Sequence, residues 1–282
     1  MTRDVRFSKY EGAGNDFVMM VDLEDDRAFS SEEAAALCDR RFGIGADGLI
    51  RVVRGRDAAL FMDYRNADGS LAEMCGNGVR CVAALARDAG LIDMSEFDVA
   101  TRAGIHRVEL LARSRISIEM GTPAFAKSAI PMRGPAWETF LAEPLDIGGG
   151  LTVKASALSM GNPHLVLLVE DDPERFHVAH IGPALERHEL FPEGTNVEFA
   201  HVTPDAIITR VWERGSGETM ACGSGACAVA VAANEAGLAP ARTMVRFPGG
   251  DLEVERREDG VVVLSGTASK VFEGVVDLDA LR

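Results

Sequence analysis

The chain contains itself twice. Residues Cys75 to Leu91, CGNGVRCVAALARDAGL, align without a gap on Cys222 to Leu238, CGSGACAVAVAANEAGL, at an offset of 147, and share nine of 17 residues. The same offset takes Gly14-Asn15 to Gly161-Asn162, each followed by an apolar strand-like run, FVMMV in one half and LVLLV in the other. Between these anchors ALCDRRF (36 to 42) resembles ALERHELF (184 to 191), and the turn Gly45-Ala46-Asp47 falls near Gly194-Thr195-Asn196. One order of elements must therefore fold twice, and a structure that suits one half must suit the other.

Each half reads as a glycine turn, a strand, a helix, another glycine turn, strands, a second helix and further strands, an α+β pattern. Ser30 and Glu33 form a capping box for the first helix, in which each satisfies an otherwise unpaired amide. The second helices, VAALARDAG and ACAVAVAANEAG, are apolar nearly all round with small side chains, which suits enclosure by sheet. Each ends in Ala-Gly-Leu, and Gly90 and Gly237 suit the left-handed residue that closes a helix. Further strands are expected at Arg115 to Met120 and Asp251 to Glu255. The Pro- and Gly-rich stretch from Ala124 to Gly150 is expected to hold the domain boundary. Two similar domains put their repeated motifs at an interface, where ligand sites are favoured.

Composition narrows the function classes. A net charge of −15 over 282 residues repels polyphosphate, which argues against nucleic acid and anionic membranes as partners. The opening MTRDVRFSKYEG lacks the apolar core of a signal peptide, and no run approaches a membrane span, so a cytoplasmic protein is expected. Five cysteines are too few, and odd in number, for a secreted disulfide framework.

Gly43 to Gly48 fits G-x-G-x-x-G, but a helical stretch precedes it and the strand LIRVV follows, the reverse of a dinucleotide site. It is read as a tight turn. Cys75/Cys81 and Cys222/Cys227 are spaced C-x5-C and C-x4-C, not as a zinc knuckle, so no metal is expected. Cys38, Cys81 and Cys227 are read as packing residues.

Cys75 and Cys222 differ, because each opens a helix through a Gly-x-Gly turn where free amides and the positive end of the helix dipole point outward. That setting is expected to lower the thiol pKa and to seat a carboxylate. Two such thiols facing one carboxylate site could handle a proton on both faces of one carbon. Inverting an α-carbon needs this pair, a thiolate base and a thiol acid. With no lysine in a recognisable pyridoxal phosphate motif, the carbanion must be stabilised electrostatically, by helix N-termini in a water-poor cleft.

YEGAGNDF (10 to 17), FGIGADG (42 to 48), NADGSLAEMCGNGVRC (66 to 81), GNPH (161 to 164), EGTNVEF (193 to 199) and ERGSGETMACGSGACA (213 to 228) together resemble the diaminopimelate epimerase family. The resemblance implies cofactor-independent interconversion of LL- and meso-diaminopimelate, in lysine and cell-wall precursor synthesis, by a homodimer. It implies two pseudo-symmetric α+β domains, each a mixed or antiparallel sheet wrapped round a central helix. These are expected at 1–124 and 125–268, with a C-terminal strand, 269–282, returning to the first. By the same resemblance Cys222 is the proton acceptor for the LL substrate and Cys75 the donor, with His164 and Glu213 influencing the protonation of the thiols. Gly76, Asn77, Gly223 and Ser224 match positions whose amides hold the carboxylate at the reacting centre. Asn15, Asn66, Asn162, Asn196, Glu213 and Arg214 match those that bind the distal amino acid end, a grouping that suits a second zwitterionic head. Two departures stand out: Gly48 where some relatives have Gln, and Phe272 where some carry a tyrosine associated with dimer contact. The alternatives are another cofactor-independent racemase of the same fold, acting on histidine, proline or hydroxyproline, and a non-catalytic thiol or metal-binding module.

Overall fold

The computed structural model describes residues 4–147 and 150–281, leaving aside the side chain of residue 113. The start of MTRDVRFSKYEG, Gly148-Gly149 of the Pro- and Gly-rich stretch, and Arg282 lie outside the described residues. The chain divides into two compact units, one running up to Ile118 and resuming at Gly266, the other spanning Glu119 to Ser265.

The first unit contains β1 (Asp4–Gly12), β2 (Asn15–Val21), α1 (Ser31–Cys38), β3 (Gly48–Arg54), β4 (Leu60–Asn66), α2 (Gly76–Asp88), β5 (Glu96–Thr101), β6 (Gly104–Leu110) and β7 (Arg115–Glu119). The second contains β8 (Phe140–Asp146), β9 (Thr152–Ser159), β10 (Pro163–Leu168), α3 (Val178–Glu186), β11 (Asn196–Val202), β12 (Ile207–Glu213), β13 (Gly217–Thr219), α4 (Gly223–Glu235), β14 (Arg242–Phe247), β15 (Gly250–Arg256) and β16 (Val262–Thr267). The last strand, β17 (Ser269–Asp277), pairs antiparallel with β1.

Pairing runs β17-β1-β2-β3-β4-β5-β6-β7 in one unit and β8-β9-β10-β11-β12-β14-β15-β16 in the other. In both, the third pairing in that order is parallel (β2 with β3, β10 with β11), as is the fifth (β4 with β5, β12 with β14). A helix supplies each parallel crossover, because a parallel pair cannot be closed by a hairpin. The duplication read from two short motifs thus extends to strand order and direction.

The capping box forms as expected: Ser30 Oγ accepts from the Glu33 amide at 3.2 Å and Glu33 accepts from the Ser30 amide at 2.9 Å. Gly90 and Gly237 adopt φ of +64° and +69°, the left-handed stop that a Cβ would strain. Helix α2 is buried without interruption from Gly76 to Ala86, and α4 buries nearly everything from Gly223 to Ala233. Small side chains make this enclosure possible, since strands can approach such a helix on every side.

One expectation is corrected. The stretch from Ala124 to Gly150 lies inside the second unit, and the chain passes between units near Ile118 and Ser265. Its prolines and glycines suggested the boundary, but Ile130, Met132, Leu145 and Ile147 are buried with Leu165, Leu167 and Phe199 in that unit's core. Their burial, roughly 2 kcal/mol for each large side chain, ties the segment down.

Candidate active site

Each unit presents one cysteine at the start of its enclosed helix. Cys75 is the N-cap of α2 at φ −146°, ψ 116°, and Cys222 that of α4 at φ −125°, ψ 122°. Both carbonyls accept the first intrahelical bond at 2.9 Å, from Val79 and Ala226 respectively. The amides of Gly76 and Asn77, and of Gly223 and Ser224, fall in the first turn, where a helix has no internal acceptors to offer.

In the first unit Cys75 is half-buried and its Sγ donates to Asn15 Oδ1 at 3.5 Å. Asn77 Nδ2 donates to the same oxygen at 3.3 Å. Two neighbours fix these amides: Asn15 Nδ2 donates to Asp47 at 2.6 Å, and Asn77 Oδ1 accepts from the buried Arg80 at 2.8 Å. Asn15 therefore turns its oxygen, not its nitrogen, toward the thiol. Asn66 ends β4 opposite Gly48 and donates to Ser70 Oγ at 3.0 Å.

Asp16, beside Asn15, is held by Lys9 and Arg40, each at 2.6 Å. Burial alone would raise its carboxyl, but the hydrogen bonds and charges of Arg40 and Lys9 prevail and hold it at about 2. A carboxyl lowered by folding stabilises above its unfolded pKa of 3.8, and that stability is lost as pH falls toward 2. Asp16→Asn is expected to cost about 2 kcal/mol at pH 7, a difference that shrinks below pH ~4. Urea unfolding of both proteins across that range measures it, and a pH-independent difference would contradict the assignment.

In the second unit Cys222 is buried, and its Sγ accepts from the Gly225 amide at 3.4 Å and meets Ser224 Oγ at 3.5 Å. Glu213, at the end of β12, accepts from Thr219 Oγ1 at 2.5 Å, and its carboxylate is one of the charges that act on the Cys222 thiol. His164 is fully buried, with Nδ1 2.6 Å from Glu198 Oε1 and Nε2 2.9 Å from Asn162 Oδ1. Asn196 spends both ends of its amide on backbone, donating to Pro163 O and accepting from Arg214 N, each at 2.9 Å. Arg214 is exposed, with one guanidinium nitrogen 3.3 Å from Glu193 O.

The electrostatics differ from the expectation for Cys222. Burial, followed by the Glu213 and Glu198 carboxylates, pushes its thiol well above the usual range, and the Ser224 and Gly225 contacts only partly offset this. Burial likewise raises Glu213, against its bonds to Thr219 and Cys222. A helix N-terminus lowers a thiol pKa only where burial and neighbouring anions do not outweigh it. Among the remaining thiols, burial pushes Cys38 to about 12 and Cys81 higher still, as packing residues require.

Glu198, Asp47 and Arg80 were not singled out as site residues from sequence. Each stands inside a motif, but as a lone acid in an apolar strand, a turn aspartate and a helix arginine they carry no local signal. Only the fold shows what they touch. Among the described residues no group of three or more His, Cys, Asp or Glu is placed to hold a metal.

Known proteins share this architecture. A hydroxyproline epimerase from Agrobacterium vitis, solved with bound trans-4-hydroxy-L-proline, superposes with a TM-score of 0.72 over 99% of this chain and 94% of its own, at 13% identity. A phenazine biosynthesis protein of the PhzF family from Bacillus anthracis gives 0.70 over 97% and 99%, at 16% identity. At such identities the likeness establishes fold alone. Sequence is more specific. The diaminopimelate epimerase of Desulforudis audaxviator is 45% identical over 280 residues, covering 96% of this chain and 98% of its own, and that of Pelotomaculum thermopropionicum is 43% identical over 279, covering 96% and 98%. The family model described as diaminopimelate epimerase matches residues 7–126 and 156–271, which include both cysteine helices and every candidate residue above. With its duplicated units, capping thiols and full-length relatives in agreement, the chain belongs to the diaminopimelate epimerase family.

Proposed function

We propose that the protein interconverts LL- and meso-diaminopimelate without a cofactor, with Cys222 taking the α-proton of the LL substrate and Cys75 delivering one to the opposite face. The observation that carries this reading is the repeated helix start, a cysteine N-cap followed by Gly-x-Gly, built once in each unit. First-turn amides of Gly76, Asn77, Gly223 and Ser224 bind the carboxylate next to the reacting carbon. They thereby stabilise the enolate-like charge that develops when the proton leaves.

The contacts suit the two roles. Asn15 Oδ1 can only accept, so its contact with Cys75 keeps that sulfur a thiol, as a donor must be. Cys222 instead accepts from the Gly225 amide, a contact that favours a thiolate, and in this scheme Glu213 accepts its proton. In this scheme Arg214 pairs with the distal carboxylate, and Glu213 with Asn15, Asn66, Asn162 and Asn196 completes recognition of the distal amino acid head. The enzyme is taken to be cytoplasmic and to pair with a second copy. Val271, Phe272 and Val275, exposed along β17, support that association.

Incubation in D2O tests the assignment. LL-diaminopimelate is expected to give meso product labelled at the inverted carbon. Histidine, proline and hydroxyproline, which leave the distal groups unmatched, are expected to exchange at least about a hundredfold more slowly. Comparable inversion of proline or histidine would move the assignment to another racemase of this fold.

A further inference from the structure

The duplication provides an internal control on what each cysteine needs. Phe17 lies opposite Gly48 in the β2–β3 pair, and two residues beyond Gly48 is Ile50, against which a Cβ on Gly78 would rest at 3.1 Å from Cδ1. In the second unit His164 lies opposite Asn196, two residues beyond Asn196 is Glu198, and a Cβ on Gly225 would rest 2.9 Å from Glu198 Oε1. His164 and Glu198 thus occupy the places of Phe17 and Ile50, and all four are fully buried. Where one unit places two apolar side chains beneath its cysteine helix, the other places an ionisable pair. That substitution is costly to bury unless the pair does something an apolar pair cannot.

Hydrogen-bond accounting shows what the pair holds. Asn162 Oδ1 can only accept, so His164 Nε2 carries a hydrogen. The 2.6 Å contact between Nδ1 and Glu198 Oε1 needs one more. The pair is therefore neutral overall and shares one proton, which sits on nitrogen or on oxygen. Glu198 Oε1 and Cys222 Sγ both border the same point, 2.9 Å and 3.4 Å from a Cβ placed on Gly225. Glu198 Oε2 is buried with no hydrogen-bond partner among the described residues, so it has no competing anchor.

We propose that Glu198 is a positioning residue for the Cys222 half-reaction, and that the proton it shares with His164 moves to compensate the charge on sulfur. With the proton on Oε1, Glu198 is neutral and a Cys222 thiolate is tolerated beside it. When Cys222 takes the substrate proton, its S–H bond forms, the C–H bond breaks and the electron pair stays on carbon. The shared proton then passes from Oε1 to Nδ1, so Glu198 becomes carboxylate and His164 imidazolium. Each step reverses for the opposite direction, and no proton is drawn from water. The charged and titratable groups facing Glu198 are His164 on β10, Glu213 on β12 and Cys222 at the start of α4. Their mutual influence appears in the raised thiol, where the Glu198 carboxylate is one of the causes.

This inference rests on the two-thiol reading above. Its test is Glu198→Gln, which keeps the shape but cannot shuttle the proton. Turnover of LL-diaminopimelate is expected to fall about a hundredfold, with KM changed less than about threefold. The pH midpoint for iodoacetamide alkylation of Cys222, followed on its peptide by mass spectrometry, is expected to fall by about one unit as the neighbouring carboxylate is removed. The double variant His164→Phe with Glu198→Ile transplants the apolar pair of the first unit; it is expected to fold and to lose turnover at least as severely. Glu198→Gln with turnover within threefold of the parent would overturn the proposal, and so would lost turnover with an unmoved midpoint. An unsubstituted protein that fails to exchange the α-proton would refute the two-thiol reading itself, whereas normal exchange with an indifferent Glu198→Gln would refute only this inference.

Discussion

Cys222→Ala and Cys75→Ala are each expected to lower kcat/KM for epimerisation by at least about a thousandfold, while circular dichroism and thermal unfolding change little. The activity loss follows from the role: each variant removes one of the two groups that move the proton, and general acid or base catalysis alone contributes about 10²–10⁴-fold. The fold should survive because alanine keeps the Cys75 and Cys222 carbonyls, which accept from Val79 and Ala226 at 2.9 Å, and the one side-chain cap lost, from the Gly225 amide to Cys222 Sγ at 3.4 Å, is worth only about 1 kcal/mol. The cavity left by one sulfur costs about 1 kcal/mol. Activity within tenfold of the parent in either variant would remove that thiol from the mechanism.

Gly48→Gln is expected to destabilise the protein by about 3 kcal/mol. Gly48 is buried in β3 between Phe17 and Asn66, where a Cβ would lie 2.4 Å from Tyr64 Cε2 and 2.5 Å from the Arg65 carbonyl oxygen. One obstacle is backbone and cannot yield without breaking the β3–β4 register. The other is a ring packed edge-on against Phe17 with centroids 5.7 Å apart. The packing around Gly48 thus suits glycine alone, and a glutamine would strain the strand. Chemical denaturation measures the loss; an unchanged midpoint would show that β4 can move aside.

The sequence made the duplication, the capping box at Ser30 and Glu33, the glycine stops at Gly90 and Gly237 and the cysteine helix starts legible, because each is a local pattern with a local cause. The place where the chain changes units was not, because Ile130, Met132, Leu145 and Ile147 bind their segment to distant strands that no nearby residue reveals. The protonation setting of Cys222 was hidden for the same reason. Its helix start is encoded at 222 to 225, whereas the opposing carboxylates come from positions 198 and 213, brought beside it by β11 and β12. Asp47 and Glu198 illustrate the limit: both lie inside recognisable motifs, yet only the fold shows that one turns the Asn15 amide and the other grips His164.

The proposed reaction assigns separate thiols to opposite faces of one carbon. Its most direct measurement is the early distribution of deuterium between the two amino acid pools when LL-diaminopimelate is converted in D2O. Label is expected in the meso product from the first turnovers, with the LL pool still protiated. Meso product that keeps the original hydrogen, or equal early labelling of both pools, would show a single group working both faces and would contradict it.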